Sequence, residues 1–166
     1  MTELSAELLA TAREELLFRI RYRDAWLKLN LLAQATIWGL AKGVQITGMS
    51  RINPFPEALV LAFPVSFVLA GLYYVEDRLI HYLSKYIASR WPYSWDASPE
   101  LAEYAKGVTL PLRVAAQVAC FLVLPGYLTY LQFGADWSRF AFQAVLALLI
   151  LSLIVFGYVQ RRGTGG

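Results

Sequence analysis

Four stretches of this chain are too apolar, and too poor in charge, to form the core of a water-soluble domain. They lie near residues 27–46, 56–75, 108–133 and 140–159. A helix that crosses a bilayer needs about 20 mostly apolar residues, because the hydrocarbon is about 30 Å thick and each helical residue rises 1.5 Å. Each stretch meets that length. Composition points the same way: 58% of the 166 residues are hydrophobic and 16% charged, against roughly 45–50% and about 25% in an ordinary soluble domain. No stretch alternates with period two as a barrel strand does, and lipid leaves no other way to satisfy a spanning backbone. The sequence therefore predicts an all-α, polytopic membrane protein with four transmembrane helices. An N-terminal amphipathic helix (1–26) precedes them, a connector (76–107) carrying a second amphipathic helix joins the middle two, and a short tail (160–166) follows. The first 26 residues lack the early apolar run of a cleavable signal, so Met1 reads as the mature terminus.

Basic residues set the expected orientation. Arg13, Arg19, Arg21, Arg23 and Lys28 precede or open the first span, Arg78, Lys85, Arg90 and Lys106 lie between the second and third, and Arg161 and Arg162 follow the fourth. The opposite side has only Lys42, Arg51 and Arg139. By the positive-inside rule both termini belong in the cytoplasm, which for this chain means a multi-pass protein of the inner membrane. Trp26, Tyr73, Tyr74, Trp91 and Tyr158 are expected at that interface, and Tyr130, Phe133 and Trp137 at the other. The net charge of +3 is too small and too dispersed for nucleic acid.

Two cytoplasmic helices are expected. In the first, Leu9, Leu16 and Ile20 share a face while Arg13, Glu14 and Arg21 lie elsewhere; it either continues into the first span or lies on the membrane. In the second, Leu79, Ile80, Leu83, Ile87 and Trp91 form an apolar stripe, with Arg78, His81, Lys85 and Arg90 mostly away from it. That pattern fits a helix in the plane of anionic lipid headgroups, and equally a plain extension of the second span. Ser98, followed by Pro99 and Glu100, reads as the N-cap of a further helix feeding the third span. Antiparallel spans bring Arg19, Arg21, Arg23 and Asp24 toward Glu76, Asp77 and Arg78, an ionic collar at the cytoplasmic surface.

Polar residues inside a bilayer need partners, water or a function. Asn30, Gln34, Ala41 and Gln45 fall in one stripe of the first span, Thr109, Arg113, Gln117 and Cys120 in one stripe of the third, and Gln143 near the start of the fourth. Such stripes either line a wet path or glue helices together. Away from its polar stripe the first span carries Ala35, Gly39 and Gly43, small residues spaced by four that let a second backbone approach. A helix with two packing faces suggests a homo-oligomer. Pro64 and Pro125 are expected to kink their helices. An offset of 83 residues superposes the two hairpins, with Gly43 on Gly126.

Catalytic and cofactor motifs are sparse. His81 is the one histidine and Cys120 the one cysteine, so neither a histidine metal cluster nor a disulfide within the chain is available, and no cofactor, metal or catalytic residue is predicted. The leading expectation is a self-associating, channel-like or membrane-permeabilising assembly. The alternatives are a non-conducting scaffold that recruits a protein partner through its basic collar, and an interfacial lipid enzyme using Glu76, Asp77 and His81.

Overall fold

The computed structural model describes residues 3–43, 55–92, 110–133 and 137–163. Every element among them is helical: α1 (Glu3–Lys42), a 3₁₀ turn (Pro56–Leu61), α2 (Ala62–Arg90), α3 (Leu110–Val118), a π-helical segment (Ala119–Val123), α4 (Leu124–Phe133) and α5 (Trp137–Gly163). The expected N-cap at Ser98 and the polar position Gln45 lie outside the described residues.

α1 is unbroken for 40 residues. No glycine or proline interrupts it before Gly39, and Glu15 and Arg19 pair across one turn at 2.6 Å. Gly43 ends the helix with a positive φ of 66°, the left-handed conformation that glycine adopts without penalty. The N-terminal helix and the first expected span are thus one rod. At 1.5 Å per residue it is about 60 Å long, twice the hydrocarbon thickness of a bilayer.

α2 decides between the two readings of the connector and moves one aromatic. The connector segment is the extension of the second expected span, because α2 runs without a break from Ala62 to Arg90. Its second half extends straight on beside α1. Trp91 consequently stands about 25 Å beyond Tyr74 along the helix, not at the same interface. The pairs Arg19–Glu76, Arg23–Asp77, Asn30–Ser66 and Gln34–Ser66 keep one antiparallel register along this hairpin. Leu9 and Ile87, both buried, fall at matching heights on it. Beyond the ion pairs, residues 3–18 and 78–90 form a two-helix stalk.

Pro64 does not kink α2. It is the third residue of the helix, where the missing N–H costs no bond inside the α-helix. Its effect falls one turn earlier: residues 56–61 wind as 3₁₀, and the Val60 carbonyl, which a residue at 64 would normally bond, has no backbone donor there. Pro125 acts similarly from the start of α4, preceded by the π segment in which the Leu124 N–H reaches back to the Ala119 carbonyl. The half-chain correspondence stops at local conformation, since Gly43 ends a helix while Gly126 sits inside one.

α2 is the hub, packed against α1, α4 and α5. One cluster joins Phe63, Leu69, Ala70 and Tyr73 to Phe121 and to Leu146, Ile150 and Ile154 of α5. A second joins Ile37 and Ala41 to Ala58, Leu59, Ala62 and Leu128. Among the described residues two helices are long and apolar enough to cross a membrane, Pro56–Arg90 and Leu112–Leu131, with Gln143–Val159 a shorter apolar helix. α1 is not one of them; Lys28, Asn30, Gln34 and Lys42 dilute its second half. Outward-facing Val68, Leu72, Leu112, Val123, Leu148 and Val155 suit hydrocarbon better than water.

Candidate functional site

The polar side chains gather at three levels of the bundle. In the middle of the α1–α2 interface, Asn30, Gln34 and Ser66 are all buried. The Ser66 hydroxyl donates to Asn30 Oδ1 at 3.0 Å. Gln34 Nε2 donates to the Ala62 carbonyl and to Ser66 Oγ, each at 3.0 Å. These groups bond to one another across the interface, which is the hydrogen-bonding glue of membrane helices. Gln34 Oε1 is buried with no partner among the described residues, and an unmet acceptor costs about 1–3 kcal/mol.

At the second level, amide side chains meet the carbonyls freed by the prolines. Asn30 Nδ2 donates to the Cys120 carbonyl at 2.7 Å. In the π register that carbonyl would bond the N–H of residue 125, which Pro125 lacks. Gln143 Nε2 donates to the Val60 carbonyl at 3.1 Å, the group that Pro64 leaves open. Each helix break is therefore mended by an amide from another helix, as backbone in an apolar surround requires. Thr129, fully buried, bonds back to the Pro125 carbonyl at 2.7 Å.

The third level lies where the stalk leaves the bundle. Arg23 is buried. Its Nη2 and Nε reach Asp24 Oδ1 at 2.7 and 2.9 Å, and its Nη1 reaches Asp77 at 3.4 Å. The guanidinium also stands 5.8 Å from the centre of the Tyr73 ring. Burial pulls its pKa down, but Tyr73, Asp24 and Asp77 outweigh that and hold it above the ordinary arginine value. An arginine is in any case charged throughout the physiological range, so Arg23 keeps its positive charge at this buried position. One turn further out, Arg19 bonds Glu76 at 3.2 Å. Arg78 reaches the Tyr82 hydroxyl at 3.0 Å and lies over the Phe156 ring at 5.8 Å.

Beside this ion cluster, between α2, α3 and α5, is a cleft with a cavity of about 30 Å³, enough for about two waters. Tyr73, Tyr74, Asp77, Arg113, Gln117 and Tyr158 bring its polar groups, and Phe121 of the π segment closes one wall. The Tyr74 hydroxyl is buried with no hydrogen-bond partner among the described residues. Gly157 leaves room for the Tyr74 ring, whose nearest carbon would stand 3.5 Å from an added Cβ.

The predicted site residues thus separate. Asn30, Gln34 and Gln143 are interhelical donors. Arg113 and Gln117, placed with them by spacing, face the cleft instead. Arg19, Arg23, Asp24, Glu76 and Asp77 come together, Arg78 packs against α5, His81 is half-buried beside Tyr82, and Arg21, Lys85 and Arg90 are exposed. Ala35 is exposed on a groove shared with Leu124, Tyr127 and Leu128 of α4; Gly39 is half-buried, though a Cβ added there would meet nothing within 4 Å; and Gly43 ends the helix. Sequence reasoning missed Ser66 and Thr129, and placed Tyr74 only as an interfacial aromatic. For Ser66 a signal existed: it is the one hydroxyl near the middle of the second span. No group of three or more potential metal ligands occurs among the described residues. No known family model, curated protein or solved structure matches the chain.

Proposed function

We propose that the chain is a four-span protein of the inner membrane, termini in the cytoplasm, that acts as a non-conducting, self-associating scaffold. Its stalk and ionic collar offer a docking surface to a protein partner. The observation that carries this reading is the inward use of the polar stripe. Asn30, Gln34, Ser66 and Gln143 are spent on neighbouring helices, and α1 turns Leu29, Leu31, Leu32 and Ala35 outward at the same heights, with the exposed Thr36 hydroxyl bonded back to the Leu32 carbonyl at 2.9 Å. A pore assembled from copies of this bundle would be lined mainly by hydrocarbon. Self-association rests on the vacant Gly39 face. The partner role rests on apolar residues exposed on the stalk, among them Leu8, Leu17, Phe18, Tyr82 and Tyr86, at a height where charged neighbours mark an aqueous surround.

The four-span topology is tested with protease-sensitive tags at both ends, which are cleaved from the same side of sealed vesicles. The scaffold reading is tested by reconstitution into liposomes. No ion or dye flux is expected at any protein density, and sustained flux above the empty-vesicle level overturns it. The lipid-enzyme reading has less support, since Asp77 is already paired with Arg23.

A further inference from the structure

The groove between α1 and α4 is walled by Leu31, Ala35 and Trp38 on one side and by Leu124 and Tyr127 on the other, and the buried Gln34 lines it as well. It offers about 310 Å³. One polar atom there is unsatisfied. Gln34 is 1% exposed, and its Oε1 has no partner among the described residues. Turning the amide over does not help, because Nε2 already donates to the Ala62 carbonyl, and a carbonyl takes only a donor. A buried acceptor left open is costly, so the groove calls for an occupant that brings a donor.

Depth identifies that occupant. At 1.5 Å per residue, Gln34 lies about 16 Å inward of Arg23 along α1 and about 13 Å short of Gly43, in the middle of the apolar bundle. On the membrane reading, lipid headgroups do not reach that level and acyl chains carry no donor. A neighbouring helix does reach it. A second copy in the same membrane has the same orientation, and a two-fold axis along the membrane normal brings residues of equal depth together in reciprocal pairs. The groove supplies both halves of such a pair. Tyr127, 59% exposed on the groove wall, carries a phenolic donor beside Gln34. Ala35 keeps the opposite wall low enough for close approach.

We propose that this groove receives a second copy of the chain, the Tyr127 hydroxyl of each copy donating to Gln34 Oε1 of the other. The proposal rests on the self-association reading and adds to it the surface and the paired groups. Such an interface is self-complementary and closes on itself, so the assembly is a dimer and not a ring or a filament.

The test is energy transfer between separately labelled copies of the full chain, reconstituted together in liposomes at graded protein-to-lipid ratios. Wild type is expected to pair. Y127F loses one oxygen per copy and keeps the ring; it is expected to weaken pairing about tenfold, because two interhelical hydrogen bonds go at once. Y130F, equally exposed on α4 but not on the groove wall, leaves pairing unchanged. A35L raises the groove wall at an exposed position and is expected to weaken pairing by more than Y127F does. Position is read by cross-linking in a C120A background: copies carrying A35C, mixed with copies carrying Y127C, are expected to form a disulfide-linked heterodimer on oxidation. Pairing of wild-type strength in both Y127F and A35L, with no such heterodimer, overturns the groove and leaves self-association to the Gly39 face. Weakened pairing in A35L alone overturns the bond between Tyr127 and Gln34. Absence of energy transfer in wild type at every density overturns the self-association reading itself, and this proposal with it.

Discussion

The bundle around Asn30 and the stalk beyond Arg23 are built from the same two helices, yet their polar groups follow opposite rules. In the bundle, neutral amides and a hydroxyl bond across helices, and two of them complete carbonyls that prolines left open. Charges at that depth would carry a desolvation cost that a neutral amide avoids. At the stalk the same α1–α2 interface changes to Arg–carboxylate pairs, and these become more exposed with distance from the bundle. Arg23 is 4% exposed at its side chain and Arg19 29%. Solvent quality thus changes along one pair of rods, and the side chains record where.

The largest expected effect falls on the boundary. R23M takes the guanidinium away from the buried Asp77, and breaking a buried pair costs about 3–5 kcal/mol. Thermal or denaturant unfolding in detergent measures this, and the double variant R23M/D77N is expected to recover part of the loss, because the stranded charge is then gone. Full stability in R23M would place Arg23 in water and move the boundary outward.

Next comes the bundle itself. N30L removes the donor to Cys120 and the acceptor for Ser66, and interhelical hydrogen bonds in membranes are worth about 1–2 kcal/mol at most. N30L is therefore expected to destabilise less than R23M, and S66A less again, by about 0.6 kcal/mol. A reversed order would mean that the bundle interior, not the stalk junction, carries the costly desolvation.

The smallest effects sharpen the comparison from outside. G39A meets no neighbour in the folded chain, so it is expected to stabilise the monomer by about 0.5–1 kcal/mol through helix propensity. G39L, too bulky for close backbone approach, is expected to lower the oligomer mass seen by light scattering while leaving helicity unchanged. An unaltered mass in G39L removes this face from the self-association proposal. K85Q, on the exposed side of the stalk, is expected to shift stability by less than about 0.5 kcal/mol.

Much of this architecture is readable from residue types. The helical class follows from hydrophobic run lengths, and the meeting of Arg19 and Arg23 with Glu76 and Asp77 follows from the antiparallel order of two spans. The segregation of Gln34 from Gln117 was not legible, because helical spacing gives the face of each helix but not what that face meets. Nor was the straight run of α2 through 76–90, since an amphipathic stripe looks the same whether it lies on lipid or on a neighbouring helix. Pro64 misled for a related reason: a proline at the third position of a helix and one at its centre differ only in where the helix begins. The link between each proline and its mending amide is tertiary, joining residues 60 and 143 and residues 120 and 30, and no local pattern encodes it.

A non-conducting bundle requires a dry interior around Asn30, Gln34 and Ser66. Ser66 is fully buried, and cysteine is its closest substitute in size. In a C120A background, Ser66→Cys is expected to resist a charged, water-soluble thiol reagent in the native protein and to react only after denaturation, while Arg21→Cys reacts at once. Native Ser66→Cys labelling at the rate of Arg21→Cys would mean that water reaches the middle of the bundle, and the non-conducting scaffold would have to be abandoned.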